Sequence, residues 1–140
     1  MASDLLPPFE ELDHTADLAL CARGITLAEL FIHAAQGMFA LMRCQPDEKA
    51  RAVAHHVALE SLDAEALLVD WLNELLYLAE REQGCYDTFT LARLEPTRLE
   101  ATLHGQSHCP PQKGIKAATF SNLQITPLPG RYEVSITFDV

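Results

Sequence analysis

The last ten residues of the chain alternate strictly between apolar and polar side chains. The apolar set is Tyr132, Val134, Ile136, Phe138 and Val140, and the polar set is Arg131, Glu133, Ser135, Thr137 and Asp139. Because successive side chains of a β-strand point to opposite faces, this pattern predicts a strand with one buried face. The buried face needs a covering layer, which two helices earlier in the chain can provide.

The first of these helices begins after Thr26. Thr26 and Glu29 form the Thr-x-x-Glu pattern of a capping box. A helical stripe of apolar residues follows, namely Leu27, Leu30, Phe31, Ala34, Met38, Leu41 and Met42. His33, Gln36 and Gly37 fall off this stripe, so we expect them on a solvated face.

The second helix is predicted from an N-cap at Ser61 or Asp63 to about Arg81, with Gly84 placed for the C-terminal cap. Its apolar face comprises Leu67, Leu68, Trp71, Leu72, Leu75, Leu76 and Leu78. We expect Trp71 in the core. The polar residues Glu65, Asp70, Asn73, Glu74 and Glu80 lie mostly on the other side, typical of a solvated face.

Shorter alternating segments predict six further strands, and Pro127, Pro129 and Gly130 predict the final turn. The expected fold is α+β, with two helices packed on one face of a mainly antiparallel β-sheet. Residues 1–8 are expected to form an N-terminal tail, and residues 9–140 a single domain.

The composition is acidic, with a net charge of −10 over 140 residues. This disfavours direct nucleic-acid binding, which needs clustered Lys and Arg, and favours cations or a basic protein partner. The chain has no signal-peptide pattern and no apolar run of about 18 residues, so we expect a soluble cytoplasmic protein.

The four cysteines, Cys21, Cys44, Cys85 and Cys109, include no Cys-x-x-Cys pair. Their spacing suits reduced, partly buried thiols. His104, His108 and Cys109 form the only local cluster that could hold zinc, and a polar loop is the favoured interpretation there.

A different set of residues could hold a harder cation. Asp139 and the terminal carboxylate of Val140 lie one residue apart, and Asp17 ends the polar segment that begins at Leu12. If the last strand pairs beside that segment, the three groups converge and favour Ca²⁺ or Mg²⁺ over zinc. Aspartates are also common at strand ends for structural reasons. Lys116, within an apolar strand context, either points to solvent or has a functional role.

Four motifs together make the chain resemble the archease family. They are Leu-Asp-His-Thr-Ala-Asp at 12–17, the block from Glu65 to Leu78, Ile-Lys-Ala-Ala-Thr at 115–119 and the final Asp139-Val140. No nucleophile elbow, P-loop or Gly-x-Gly-x-x-Gly motif is present.

The resemblance implies a small acidic α+β protein that is not itself an enzyme. It implies activation of an RtcB-type RNA ligase in tRNA splicing and RNA repair, by promoting guanylylation of the ligase's active-site histidine and multiple turnover, with RNA contacted only through the ligase. It also implies a metal site for calcium, with magnesium or manganese as alternatives, at Asp17, Asp139 and Val140. Lys116 is a further functional candidate.

The chain departs from the family pattern in places. Phe120-Ser121 stands where the family usually has Tyr-His, and Ala19 stands where it often has Gly. The 106–114 loop is shorter and Pro-rich, with His108 as a candidate match to a family histidine. Two other functions remain open. One is a metal-dependent hydrolase of phosphate esters using the same carboxylates, and the other is an acidic adaptor that docks through Glu65, Asp70 and Glu74.

Overall fold

A computed structural model describes residues 6–12 and 18–140 of the chain. The helices are α1 (Leu27–Met42) and α2 (Ala64–Glu82). The strands are β1 (Phe9–Leu12), β2 (Leu18–Gly24), β3 (Arg51–Glu60), β4 (Cys85–Glu95), β5 (Arg98–Ser107), β6 (Ala117–Thr119), β7 (Thr126–Leu128) and β8 (Arg131–Asp139).

The described strands form two antiparallel sheets. The larger has the order β1-β2-β8-β6, with β7 also paired to β8, and the smaller has the order β3-β5-β4. The predicted fold class is confirmed, with the strands divided between two sheets. β7 lies where the sequence indicated only a turn. Pro127 is tolerated in this strand because β7 pairs on one side only.

The core forms where the helices pack on the sheets. Trp71, Phe31, Tyr86 and Phe138 are among the largest fully buried side chains, which confirms the position predicted for Trp71. The indole Nε1–H of Trp71 donates a hydrogen bond to the main-chain oxygen of Phe31 at 3.1 Å, linking α2 to α1. The apolar helix stripes and alternate residues of β2, β5 and β8 supply most of this core.

The helix ends follow the sequence signals with two differences. The Thr26 hydroxyl caps α1 as predicted, but the Glu29 carboxylate accepts from the N–H of Ile25, one residue before the cap. Asp63 is the N-cap of α2. The prediction for Gly84 was wrong by one residue, since Gln83 adopts the left-handed conformation with φ of 52°.

Gly37 is buried, and its predicted exposure was wrong. A Cβ atom at this position would lie 2.8 Å from Leu20 Cδ2 and 2.9 Å from Phe9 Cγ. The absence of a side chain therefore lets α1 pack closely on β1 and β2. Periodicity missed this contact because a glycine adds nothing to an apolar stripe.

Neither helix in the described part of the chain combines the length and apolar character that a membrane crossing requires.

Candidate functional site

The candidate site lies at the end of β8, between the strands on either side. Leu18 of β2 pairs with Phe138, and Ala117 of β6 pairs with Asp139. The last strand therefore pairs with β2 as far as Leu18, the residue that directly follows the segment named in the metal hypothesis. Asp17, the predicted third ligand, belongs to residues 13–17 and lies outside the described residues.

Asp139 and Val140 are both exposed at this strand end. The main-chain N–H of Lys116 donates to the main-chain oxygen of Asp139 at 2.8 Å. This hydrogen bond fixes the segment before β6 against the end of β8. The structure thus brings together three of the four predicted site residues, with the Lys116 side chain exposed to solvent.

An open cavity of about 490 Å³ adjoins this strand end. Lys116 and Val140 line one side of it, and Glu80 of α2 contributes a charged side chain. The remaining lining comes from α1, the end of α2 and the loop before β6, namely Met42, Leu76, Ala79, Gln83, Gly84, Pro111, Gly114 and Ile115. The cavity is a concave, mainly apolar surface with a few polar groups in its lining, which is typical of a binding site.

Asn73 of α2 positions the strand that follows Lys116. Its side-chain oxygen accepts from the N–H of Ala118 at 2.8 Å, and its Nδ2 donates to the oxygen of Ala118 at 3.2 Å. The amide thereby pairs with β6 as a neighbouring strand would. The helical periodicity predicted Asn73 on a solvated face, and the one sequence signal that distinguishes it is an uncharged amide among acidic residues.

The acidic side of α2 also contacts its own chain. Glu65 accepts from the N–H of Ile125 at 3.1 Å, and the hydroxyl of Ser61 donates to Asp70. These carboxylates are therefore engaged in holding α2 to neighbouring segments. Asp70 is nevertheless exposed to solvent, so its carboxylate also remains available to a partner.

The donor atoms at the β8 end suit a hard cation. A carboxylate and main-chain oxygens are ligands that Ca²⁺, Mg²⁺ and Mn²⁺ accept. Across residues 6–12 and 18–140, however, no three His, Cys, Asp or Glu side chains converge in a metal-binding arrangement. The described residues include Asp139 and Val140 but not Asp17, so the three-ligand metal site stays a prediction. The same finding leaves the zinc alternative at His104, His108 and Cys109 without support.

Comparison with known proteins agrees with this architecture. The model of the Archease protein family (MTH1598/TM1083) matches residues 9–140. "Protein archease" of Methanosarcina barkeri is 32% identical over 140 residues, covering 94% of this chain and 95% of that protein. "Protein archease" of Thermococcus kodakarensis is 32% identical over 145 residues, covering 94% and 98%.

Two solved structures share the fold. Protein 1598 of Methanobacterium thermoautotrophicum superposes with a TM-score of 0.68 at 26% identity, covering 95% of this chain and 99% of that one. A Thermotoga maritima structure, described as an archease and "possible chaperone", superposes with a TM-score of 0.64 at 17% identity, covering 94% and 96%.

The helix and strand order therefore defines a single-domain α+β protein of known architecture. The chain belongs to the archease family.

Proposed function

We propose that this protein is an accessory factor, and not itself an enzyme, that activates an RtcB-type RNA ligase in the cytoplasm. It would promote guanylylation of the ligase's active-site histidine and so sustain multiple turnover in tRNA splicing and RNA repair. Family membership supports this role. The structural observation that carries it is that Lys116 and Val140 line one open cavity, while the main chain of Lys116 is hydrogen-bonded to that of Asp139.

The proposed metal is calcium, with magnesium or manganese as alternatives, held by Asp17, Asp139 and oxygen atoms of Val140. The pairing of Leu18 with Phe138 supports this set, because Asp17 precedes Leu18 and Asp139 follows Phe138 in antiparallel strands. A bound divalent cation would supply positive charge that offsets phosphate charge during nucleotidyl transfer. The residues of this chain would hold and orient that charge.

The overall charge supports a protein partner over direct RNA binding. A chain with a net charge of −10 lacks the excess of Lys and Arg that binding to an RNA phosphate backbone requires. A basic surface around a nucleotide-binding cleft is the complementary partner, and complementary charges accelerate and orient docking. RNA is then reached only through the ligase.

A guanylylation assay with the cognate ligase and labelled GTP tests the proposal. Wild-type protein is expected to increase the guanylylated fraction, and Asp139→Asn is expected to reduce this stimulation by about 10-fold or more. Asp87→Asn, at an exposed position on β4 in the other sheet, is the matched control and should stimulate as wild type does. Full stimulation by Asp139→Asn would contradict the metal-centred form of the proposal.

Lys116 can be tested in the same assay. Lys116→Met is expected to weaken stimulation because the cavity loses its cationic group. Lys113→Met removes the same charge from a nearby exposed position that does not line this cavity, and should have little effect. Equal losses in both variants would indicate a non-specific charge effect.

Two further assays distinguish the proposed ligase activation from the hydrolase and adaptor alternatives. Incubating the pure protein with divalent metal and cyclic-phosphate RNA should give no turnover, and hydrolysis without ligase would favour the hydrolase. Charge reversal at Glu65, Asp70 or Glu74 would impair activation more than loss of Asp17 if the protein were only an acidic adaptor. We expect the opposite order.

A further inference from the structure

Three of the four cysteines lie on neighbouring segments of the fold although they lie far apart in the sequence. Cys44 follows the C-cap of α1, Cys85 begins β4 and Cys109 follows β5. All of these cysteines are free thiols. The cavity at the β8 end is lined by close sequence neighbours of these cysteines, Met42, Gly84 and Pro111, but by none of the three thiols themselves. The proposed ligase function therefore does not account for their grouping.

Main-chain hydrogen bonds hold the three cysteine-bearing segments together. The N–H of Cys109 donates to the oxygen of Gln83 at 2.8 Å, two residues before Cys85. The N–H of Gln45, which follows Cys44, donates to the oxygen of Pro110 at 3.3 Å, which follows Cys109. The segment that carries Cys109 is therefore hydrogen-bonded to both the segment that carries Cys44 and the one that carries Cys85.

Two of the thiols are open to solvent through one groove. Cys44 and Cys85 are half-buried and line a groove of about 450 Å³, together with charged Arg43 and Asp87. Cys109 is only 4% exposed and does not line this groove. A small reagent can therefore reach Cys44 and Cys85, with Cys109 shielded.

The thiols differ in acidity because they share hydrogen bonds. The hydrogen bond that Cys85 provides lowers the pKa of the Cys44 thiol against the opposing effect of burial. The same interaction with Cys44, reinforced by burial, holds the pKa of Cys85 well above its ordinary value. Burial raises the pKa of Cys109 to about 11. Cys44 is thus the first of the three to ionise, and the thiolate is the nucleophilic form.

We propose that Cys44 and Cys85 form a thiol–disulfide exchange site, with Cys44 as the attacking thiol and Cys85 as the resolving thiol. The reagent is a small disulfide such as oxidised glutathione. The Cys44 thiolate attacks one sulfur, forming a mixed disulfide and releasing one glutathione thiolate. The Cys85 sulfur then attacks the Cys44 sulfur, forming the Cys44–Cys85 disulfide and releasing the second glutathione. The two protein thiols are oxidised, their protons pass to the two glutathione thiolates, and the glutathione disulfide is reduced.

The bond would connect the end of α1 to the start of β4. A disulfide between segments so far apart in sequence restricts the unfolded chain and adds stability, provided that the folded geometry accepts it. Intracellular proteins that use such bonds do so mainly as redox-sensing or catalytic devices. The reactive pair would make the stability of this end of the molecule depend on the thiol–disulfide balance around it.

Peptide mass mapping of the full-length protein tests the site directly. The reduced protein is incubated with oxidised glutathione, and the remaining thiols are blocked before digestion. We expect an intramolecular Cys44–Cys85 disulfide in the wild type. We expect Cys85→Ser to stop at a glutathione adduct on Cys44, and Cys44→Ser to give neither product.

The fourth cysteine provides the matched control. Cys21 is buried in β2, and burial raises its pKa, so Cys21→Ser should react as the wild type does. Circular dichroism of each variant establishes that it is folded. The proposal is overturned if Cys44 in the folded wild type gains glutathione no faster than Cys21, or if the disulfide that forms joins Cys85 to Cys109.

Discussion

Asn73 shows how one side chain can act as part of a sheet. Its amide satisfies both main-chain groups of Ala118, which sits in the middle of the three-residue strand β6. A strand this short has few hydrogen bonds of its own. The position of Lys116, which directly precedes β6, therefore depends on a helix residue as well as on β8.

Asn73→Ala is expected to lower the free energy of unfolding by about 1–3 kcal/mol, because Ala118 loses both partners in a half-buried setting. Urea denaturation measures this change. Gln124→Ala, at an exposed position, is the control and should alter stability by about 0.5 kcal/mol or less. Equal stability of Asn73→Ala and wild type would show that the amide pairing contributes nothing.

Glu82 is a second residue whose structural role depends on its hydrogen-bond partners, Tyr86 and His55. Burial raises the pKa of its carboxyl, but hydrogen bonds from Tyr86 and from His55 outweigh burial and leave that pKa below its ordinary value. The Nε2 of His55 lies 2.7 Å from Glu82 Oε1. The carboxylate thus connects β3 and β4 to the last turn of α2.

The pH dependence of Glu82→Gln follows from this lowered pKa. The stabilisation due to Glu82 is fully present above the unfolded-state pKa of about 4.3, and it is lost as pH falls through the lower folded-state pKa. Urea denaturation should therefore show a larger deficit for Glu82→Gln at neutral pH than in strong acid. Glu48→Gln, at an exposed turn position, should show no comparable deficit at neutral pH. A deficit for Glu82→Gln that does not change with pH would contradict the ionic role.

Short-range sequence patterns predicted the positions of single residues well where those positions depend on near neighbours in the sequence. Thr26 and Trp71 were predicted, and Asp63 was one of two N-cap candidates beside Ser61, because caps and apolar stripes depend on near neighbours in the sequence. Gly37 and Asn73 were misplaced because their roles depend on contacts with β2 and β6, which no local pattern contains. Asp17, outside the described residues, stays a predicted ligand.

At the scale of elements, the hairpin of β4 and β5 depends on one close approach. A Cβ atom at Gly105 would lie 2.0 Å from the main-chain oxygen of Cys85 and 2.6 Å from the Cα of Tyr86. Gly105 pairs with Tyr86 in the β4–β5 register. Only a residue without a side chain lets the two strands pair at this distance.

Gly105→Ala is therefore expected to destabilise the fold by about 1–3 kcal/mol or more, since the backbone of β4 must move to accept the methyl group. Gly114→Ala is a matched control, because its Cβ would meet no atom within 4 Å. A thermal melt of the two variants should show a clear loss of Tm for Gly105→Ala and almost none for Gly114→Ala. Similar Tm values would rule out the close contact.

The elements themselves were predicted more completely than their arrangement. Alternation identified the long strands, and β8 was the clearest of them. Strand β7 escaped prediction because a three-residue strand containing Pro127 carries turn residues and too few alternating positions. The division into two sheets and the placement of Cys44, Cys85 and Cys109 on neighbouring segments arise from long-range packing, which periodicity does not encode.

At the scale of the whole molecule, the acidic charge affects how the protein meets a partner. If the protein activates a ligase through a basic surface, its net charge of −10 should make docking sensitive to salt. The concentration for half-maximal stimulation of guanylylation is expected to rise severalfold between about 0.05 M and 0.3 M ionic strength. A titration at each salt concentration, with ligase guanylylation alone as the control, measures this. A salt-independent midpoint would argue against electrostatic docking.

The Asn73 amide also protects the folded protein against self-association through the edge of its larger sheet. The outer edge of a sheet presents unpaired main-chain groups on which a foreign strand can assemble, and proteins protect such edges with short strands or covering elements. In β6 the central residue Ala118 already has both groups occupied by Asn73. A variant at Asn73 would therefore expose a template for strand addition, so that self-association would accompany its loss of stability.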